Sequence, residues 1–187
     1  MEIQDLIKRM EGDGKGEILR TQTTSLDLIC VFDIDAMLTR TTFRIHYNRK
    51  REFDVHTGEF QSLYLVEEHP LLLEYTETMC GIQLLSSVED KQFFLDEIDQ
   101  AAKRIFCGWR AADNYSFMPL GQFIEESFGI LMVAPKSYAK AVIEAAKKCK
   151  VKLIMDDGRD PQKPFPQVLL FDNWYVIADG FRIEEIS

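Results

Sequence analysis

Phe43, Ile45 and Tyr47 alternate with Arg44, His46 and Asn48. A period of two puts the two sets on opposite sides of an extended chain, so this segment is satisfied as a strand with one buried face. Its neighbours repeat the signal. Leu26 to Ile34 is rich in apolar and β-branched residues, Phe53 and Val55 alternate with Asp54 and His56, and Phe60 to Val66 is a further apolar run. Arg49-Lys50-Arg51 reads as a hairpin tip and Thr57-Gly58 as the next turn. Strands joined by links this short pair antiparallel. Whatever else the chain does, it must supply a sheet for this region.

Helical spacing brackets that sheet. Ile3, Leu6, Ile7 and Met10 predict a short amphipathic helix, which Gly12, Gly14 and Gly16 end in a turn; residues 1–16 read as a loosely attached helix and glycine-rich turn. Pro70 to Tyr75 predicts a helical turn and Gly81 to Leu85 a strand. Ser86 and Glu89 have capping-box spacing ahead of a helix through Phe94, Ile98, Ala102 and Phe106. Gly129 to Ala134, then Tyr138 to Cys149, then Val151 to Met155 read as strand, helix and strand, which implies a crossover and a parallel pair. Asp156 to Pro166 reads as a polar loop. Val168 to Phe171 and Trp174 to Ala178 read as a closing hairpin around Asp172-Asn173. The expected fold is α+β: a mainly antiparallel, mixed sheet, a strand–helix–strand unit near the C-terminus, and helices packed on the sheet. At 187 residues the chain is expected to be a single globular domain.

Charge narrows the partners. With 22 lysines and arginines against 31 acids, the net charge of −9 excludes a mainly electrostatic nucleic-acid binder. The distribution is uneven. Residues 52–99 hold 12 acids against Lys91 alone, or −11, and residues 136–152 hold six lysines against Glu144, or +5. The expectation is an acidic surface built from the Glu59–Glu77 and Glu89–Asp99 segments. No apolar run approaches the length of a membrane span. The opening Met1-Glu2-Ile3-Gln4-Asp5 is acidic where a secretory signal would be basic and then apolar. Cys30, Cys80, Cys107 and Cys149 are widely spaced in apolar company and read as reduced, buried thiols. Together these features suit a cytoplasmic protein.

Four constellations could carry chemistry. An apolar strand leads into Asp33-Ile34-Asp35, followed by Ala36, Met37, Leu38 and Thr39. This resembles the first motif of haloacid-dehalogenase-type phosphatases, in which Ala36 and Met37 stand where that family has glycine and threonine. The resemblance implies Asp33 as nucleophile, Asp35 as acid–base, and Asp33, Asp156 and Asp157 as magnesium ligands. A carboxylate nucleophile beside a divalent cation offsets phosphate charge. Second, a hairpin turning about Arg51 would set His46 opposite His56 and Asn48 opposite Asp54, with Arg44 on the same side, giving a polar face for a partner, an anion or a metal. Third, Trp109 and Arg110, just past a helix, form a pair typical of interface anchors. Fourth, Asp156 and Asp157 fall at a strand's carboxyl end, where open α/β sheets bind ligands.

The leading expectation is a small binding protein without catalysis or cofactor, such as an acidic inhibitor or immunity-type protein for a basic partner. Its candidate binding residues are Arg44, His46, His56, Trp109 and Arg110. The alternative is a metal-dependent, phosphatase-like hydrolase using Asp33 and Asp35 with Asp156 and Asp157, and magnesium. A third reading is an oligomeric ligand sensor or structural subunit.

Overall fold

The expected α+β fold is present, and every strand pairing in it is antiparallel. The structure, a computed structural model, describes residues 2–11, 14–34, 37–126 and 128–186. In chain order the regular elements are α1 (Ile3–Met10), β1 (Lys15–Thr21), β2 (Ser25–Ile34), β3 (Met37–Asp54), β4 (Gly58–Phe60), β5 (Leu63–Val66), α2 (Leu73–Thr76), β6 (Met79–Leu84), α3 (Lys91–Phe106), α4 (Leu120–Glu126), β7 (Gly129–Pro135), α5 (Lys136–Lys148), β8 (Leu153–Arg159), β9 (Gln167–Phe171) and β10 (Trp174–Ile186). They form two compact units. One is Met1–Leu72 with Pro164–Ser187, and the other is Leu73–Lys163.

The first unit is built on a seven-stranded sheet in the order β4-β1-β2-β3-β10-β9-β5. The apolar run from Phe60 to Val66 is not one strand. It divides into β4 and β5, which lie at opposite edges of the sheet. Only Gln61 and Ser62 link them, and three Cα steps reach roughly 11 Å. The two edges must therefore lie close together, and the sheet curls round on itself. Phe60 of β4 meets Phe171 of β9 edge-to-face at 5.2 Å, a contact between one edge strand and the strand next to the opposite edge. Both edge strands are short, three residues in β4 and four in β5, which leaves little open edge for pairing with another chain.

Inside the curl, alternation decides which residues are buried. Leu26, Leu28, Cys30 and Phe32 of β2 point inward, as do Phe43, Ile45 and Tyr47 of β3. The Tyr47 hydroxyl lies within hydrogen-bonding reach of the Gln22 and Ser25 carbonyls, and burial raises its pKa. Helix α1 touches β2, β5 and β10, which are not neighbours in the sheet, so it sits across the curl. Ile3, Leu6 and Met10 are buried there, each contributing about 1.5–3 kcal/mol. The opening helix is thus part of the core instead of a loose attachment. Gly16, expected in the turn that ends α1, lies within β1.

The charged triplet Arg49-Lys50-Arg51 is not a hairpin tip, because β3 runs through it and pairs with β10 from Thr42 to Asp54. Ile177 pairs with Glu52 and Ala178 with Lys50, so Arg51 is the extra residue of a bulge. Arg49 has the left-handed φ of 46° that loosens the ladder there. The reason is electrostatic and local to β10. Asp179 accepts two hydrogen bonds from Arg51, at 2.9 and 3.2 Å, and lies 3.7 Å from Arg49, so a strand partner neutralises what looked like a solvated tip.

The closing hairpin of β9 and β10 is as expected, with Asp172 at φ 51° in its turn. Its carboxylate has a second task. It accepts hydrogen bonds from the backbone N–H of Gln61 and Ser62, both at 2.9 Å, and from the Ser62 hydroxyl. It therefore fastens the two-residue link that closes the curl. Burial raises this carboxyl's pKa, but the hydrogen bonds outweigh burial and hold it below 3.8. Asp172→Ala is expected to cost about 1–3 kcal/mol, measured by urea denaturation, because two backbone donors lose their acceptor. Asp172→Asn should cost less, since it tolerates the left-handed conformation and keeps one carbonyl acceptor. A depressed folded pKa stabilises fully above the unfolded value and is lost as pH falls through the folded one. The gap between wild type and Asp172→Ala should accordingly narrow below about pH 3.8.

The second unit has the strand order β7-β6-β8, with α3 and α5 packed together. The expected strand–helix–strand unit is β7-α5-β8. Its strands run parallel but do not pair, because β6 lies between them and is antiparallel to both. Strand β8 continues to Arg159, through residues expected in a loop. The cap of α3 is Asp90, which accepts from the Phe93 N–H at 3.0 Å, and Ser86 instead accepts from the Lys152 N–H at 2.9 Å. Cys107 is exposed in the left-handed position that ends α3, while Cys30 and Cys80 are buried; all four cysteines are free. Among the described residues, no helix is long and apolar enough to cross a membrane.

Candidate binding surface

The outward-facing residues of β1, β2, β3 and β10 form rows across the first sheet. One row is Arg20, Asp27, Arg44 and Glu184, in direct register and alternating in sign. Asp27 accepts from Arg44 Nε at 2.7 Å and Nη2 at 3.0 Å. That hydrogen-bonded guanidinium holds the Asp27 carboxyl below its usual range, against the opposing effect of burial. Glu184 lies 3.8 Å from Arg44 and 3.1 Å from His46. The sequence candidates Arg44 and His46 are therefore side by side; the charge of Arg44 is engaged by cross-strand carboxylates, and His46 lies against one of them, Glu184.

His46 and His56 do not face one another. His46 pairs in register with Ser25 and Arg182, and Asn48 with Gly180, while Asp54 pairs with Tyr175. Because β3 does not turn back, His56 lies beyond its far end, roughly 20 Å or more along the strand. It rests 3.5 Å from Asp54, with its ring 6.2 Å from Trp174.

The next rows differ. Arg40, Val31 and Lys15 share one row, and Thr42, Ile29, Glu17 and Glu59 the row beside it. Here the surface is hollow, an open cavity of about 370 Å³. Ile29 and Val31 form its floor and Leu38 one end, while the long side chains of Lys15, Arg40, Glu17 and Glu59 stand around it. Glu17 and Glu59 are directly opposite, an unfavourable placing for two like charges. Among the described residues, none of these four charged groups makes an ion pair. The hollow thus contrasts with the laddered row beside it: its charges are segregated by sign and not matched.

Sequence reasoning passed over these residues, yet one signal was present. Leu28-Ile29-Cys30-Val31-Phe32 is apolar at both parities, the pattern of a strand covered on both faces. The core covers Leu28, Cys30 and Phe32. Ile29 and Val31 face outward at the hollow.

In the second unit, Arg110 is not exposed. Its side chain is 11% accessible and meets Glu74 at 3.0 Å, and Trp109 is half-buried beside it. Asp156 accepts from Gln83 Nε2 at 2.6 Å. Asp33 is on β2 of the first unit and Asp156 on β8 of the second, and both strands pair antiparallel. The side chains of Asp33 and Asp157, and all of Asp35, lie outside the described residues. Among the described residues, no group of three or more His, Cys, Asp or Glu could hold a metal ion.

The acid-rich segment divides between the units at Leu72, and much of its charge is answered locally. Glu97 pairs with Lys148 at 2.6 Å and Asp99 with Lys103 at 2.6 Å. Glu77 accepts from the Ser137 N–H at 2.7 Å, at the start of α5. The acidic face of α3 and the lysine-rich α5 are packed partners, so part of the uneven charge distribution is internal complementarity.

No family model, no curated protein and no solved structure matches this chain.

Proposed function

We propose that the protein acts by binding a protein partner, and that the partner docks on the outer face of the curled sheet at the hollow over Ile29 and Val31. One observation carries this reading: β2 is apolar on both faces from Leu28 to Phe32, and Ile29 and Val31 form the floor of a hollow walled by charges that, among the described residues, make no ion pair. Apolar floors with polar rims are the usual anatomy of docking sites. Glu17 and Glu59, set opposite each other, suit a lysine or arginine, in keeping with a basic partner for a chain of net charge −9. Arg44, its charge matched by Asp27, and His46, against Glu184, border this region and support the surface without leading recognition.

Co-purification from the native cells at low salt, with wild type and the double variant Glu17→Lys/Glu59→Lys side by side, tests the reading. A stoichiometric protein should be retained by wild type and weakened at least about tenfold by the variant, with the loss growing smaller as salt screens the charges. Recovery of the same proteins in the same amounts by both forms would overturn it.

A further inference from the structure

The geometry points to a more specific occupant: an extended peptide segment carrying an apolar, an acidic and a basic side chain at alternate positions. This rests on the hollow being the docking site and names what that site reads. The argument comes from spacing. Residues two apart on a strand are separated by about 6.6 Å and point to the same side. Along β2 and β3 the hollow therefore presents three rows at that interval. The first has Leu38 of β3, which is 78% exposed, in register with Asp33 of β2. The second has Lys15 and Arg40 on either side of Val31. The third has Glu17 and Glu59 beside Ile29.

An extended segment lying along β2 has the same period. Its apolar side chain would lean toward β3, one strand spacing of about 4.8 Å away, to cover Leu38. Its carboxylate would sit over Val31, within reach of a cation from each side, and its ammonium or guanidinium would sit over Ile29 toward the two glutamates. The stems of long side chains are themselves apolar and would cover Ile29 and Val31. A small zwitterion does not fit this arrangement as well, since three rows extend over about 13 Å. The order apolar-x-acid-x-base, or its reverse if the segment runs the other way, is fixed by the rows. In the cation row, Lys15 and Arg40 lie on the two strands flanking β2, about 10 Å apart, a gap that one carboxylate between them can serve from both sides.

A displayed library of random peptides selected on the immobilised full-length protein tests this. Wild type should enrich peptides with an acid and a base two residues apart and an apolar residue two beyond the acid. Lys15→Glu/Arg40→Glu should replace the selected acid by a base and leave the original base in place. Glu17→Lys/Glu59→Lys should do the converse. A synthetic consensus peptide, followed by fluorescence anisotropy, should lose about tenfold in affinity when its acid is made the neutral amide. All substituted side chains are exposed, and circular dichroism of each variant should match wild type.

The two readings fail differently. Enrichment of a base with no acid at fixed spacing, unchanged by Lys15→Glu/Arg40→Glu, would overturn this inference and leave basic-partner docking standing. Selected sequences indifferent to both double variants would overturn docking at the hollow itself.

Discussion

Gly158→Ala should unfold the second unit at markedly lower denaturant, with a loss of about 3 kcal/mol or more. A Cβ at this position would lie 1.2 Å from the carbonyl oxygen of Met79 and 2.4 Å from its carbonyl carbon. Both are backbone atoms of β6, the strand to which β8 is hydrogen-bonded. Met79 pairs with Arg159 and Gly81 with Asp156, so Gly158 falls where the register shifts and the two backbones press together. A clash with a side-chain tip can relax by rotation, but this one must move a strand. Moving β8 there would weaken the pairing that holds Asp156 against Gln83. Chemical denaturation followed by far-ultraviolet circular dichroism provides the measurement. An unchanged midpoint would show that β8 does not approach β6 this closely.

Gly16→Ala should cost about 2–3 kcal/mol, for a different reason. In a setting with space, alanine for glycine stabilises by about 0.4–1 kcal/mol because the unfolded chain has less freedom to lose. Here the sign reverses. The added Cβ would meet Cζ, Cε1 and Cε2 of Phe60 at 2.1, 2.4 and 2.7 Å. Phe60 is 1% exposed and packed against Phe171, so its ring has little room to withdraw. The bare glycine is what lets the ring lie across β1 and seal the pairing of β1 with β4. Phe60→Leu removes the distal ring atoms that clash. The double variant Gly16→Ala/Phe60→Leu should therefore lose less than the sum of its two single variants, by at least about 1 kcal/mol. Strict additivity would refute the packing. Gly16 and Phe60 also line the hollow, so the same variants report whether docking requires the closed curl.

Much of the fold was legible because it depends on neighbours in sequence. The alternation from Phe43 to Asn48, the hairpin around Asp172-Asn173 and the apolar stripe of α5 each follow from local period and turn chemistry. The misread features all depend on partners far along the chain. Arg49-Lys50-Arg51 has the composition of a turn, and only the carboxylate of Asp179, more than 120 residues later, makes it a bulge in a continuous strand. Gly16 has the look of a turn glycine, and only Phe60 shows it to be a packing position. Asp156-Asp157-Gly158 has the look of a loop, and only the backbone of Met79 shows why glycine stands there in a strand.

The candidate site followed the same division. Arg44 and His46 were found from alternation, but register decided that Asp27 and Glu184 engage them. His46 and His56 were expected to meet on the premise of a turn that the β3–β10 pairing removes. The hollow was half visible, in the run from Leu28 to Phe32 that is apolar at both parities. What no local pattern contains is which charges stand beside that run.

By itself, the sequence determined most of the element classes, the inward face of β3 from Phe43 to Tyr47 and the sign of the net charge, because these follow from side-chain period and composition. Tertiary structure alone decided that β4 and β5 lie at opposite edges, that the acidic and basic helices are partners, and that Lys15, Arg40, Glu17 and Glu59 surround one hollow. The physical reason is register. Antiparallel pairing fixes neighbours across strands to within a residue, and a shift of one residue would turn every one of those side chains to the other face.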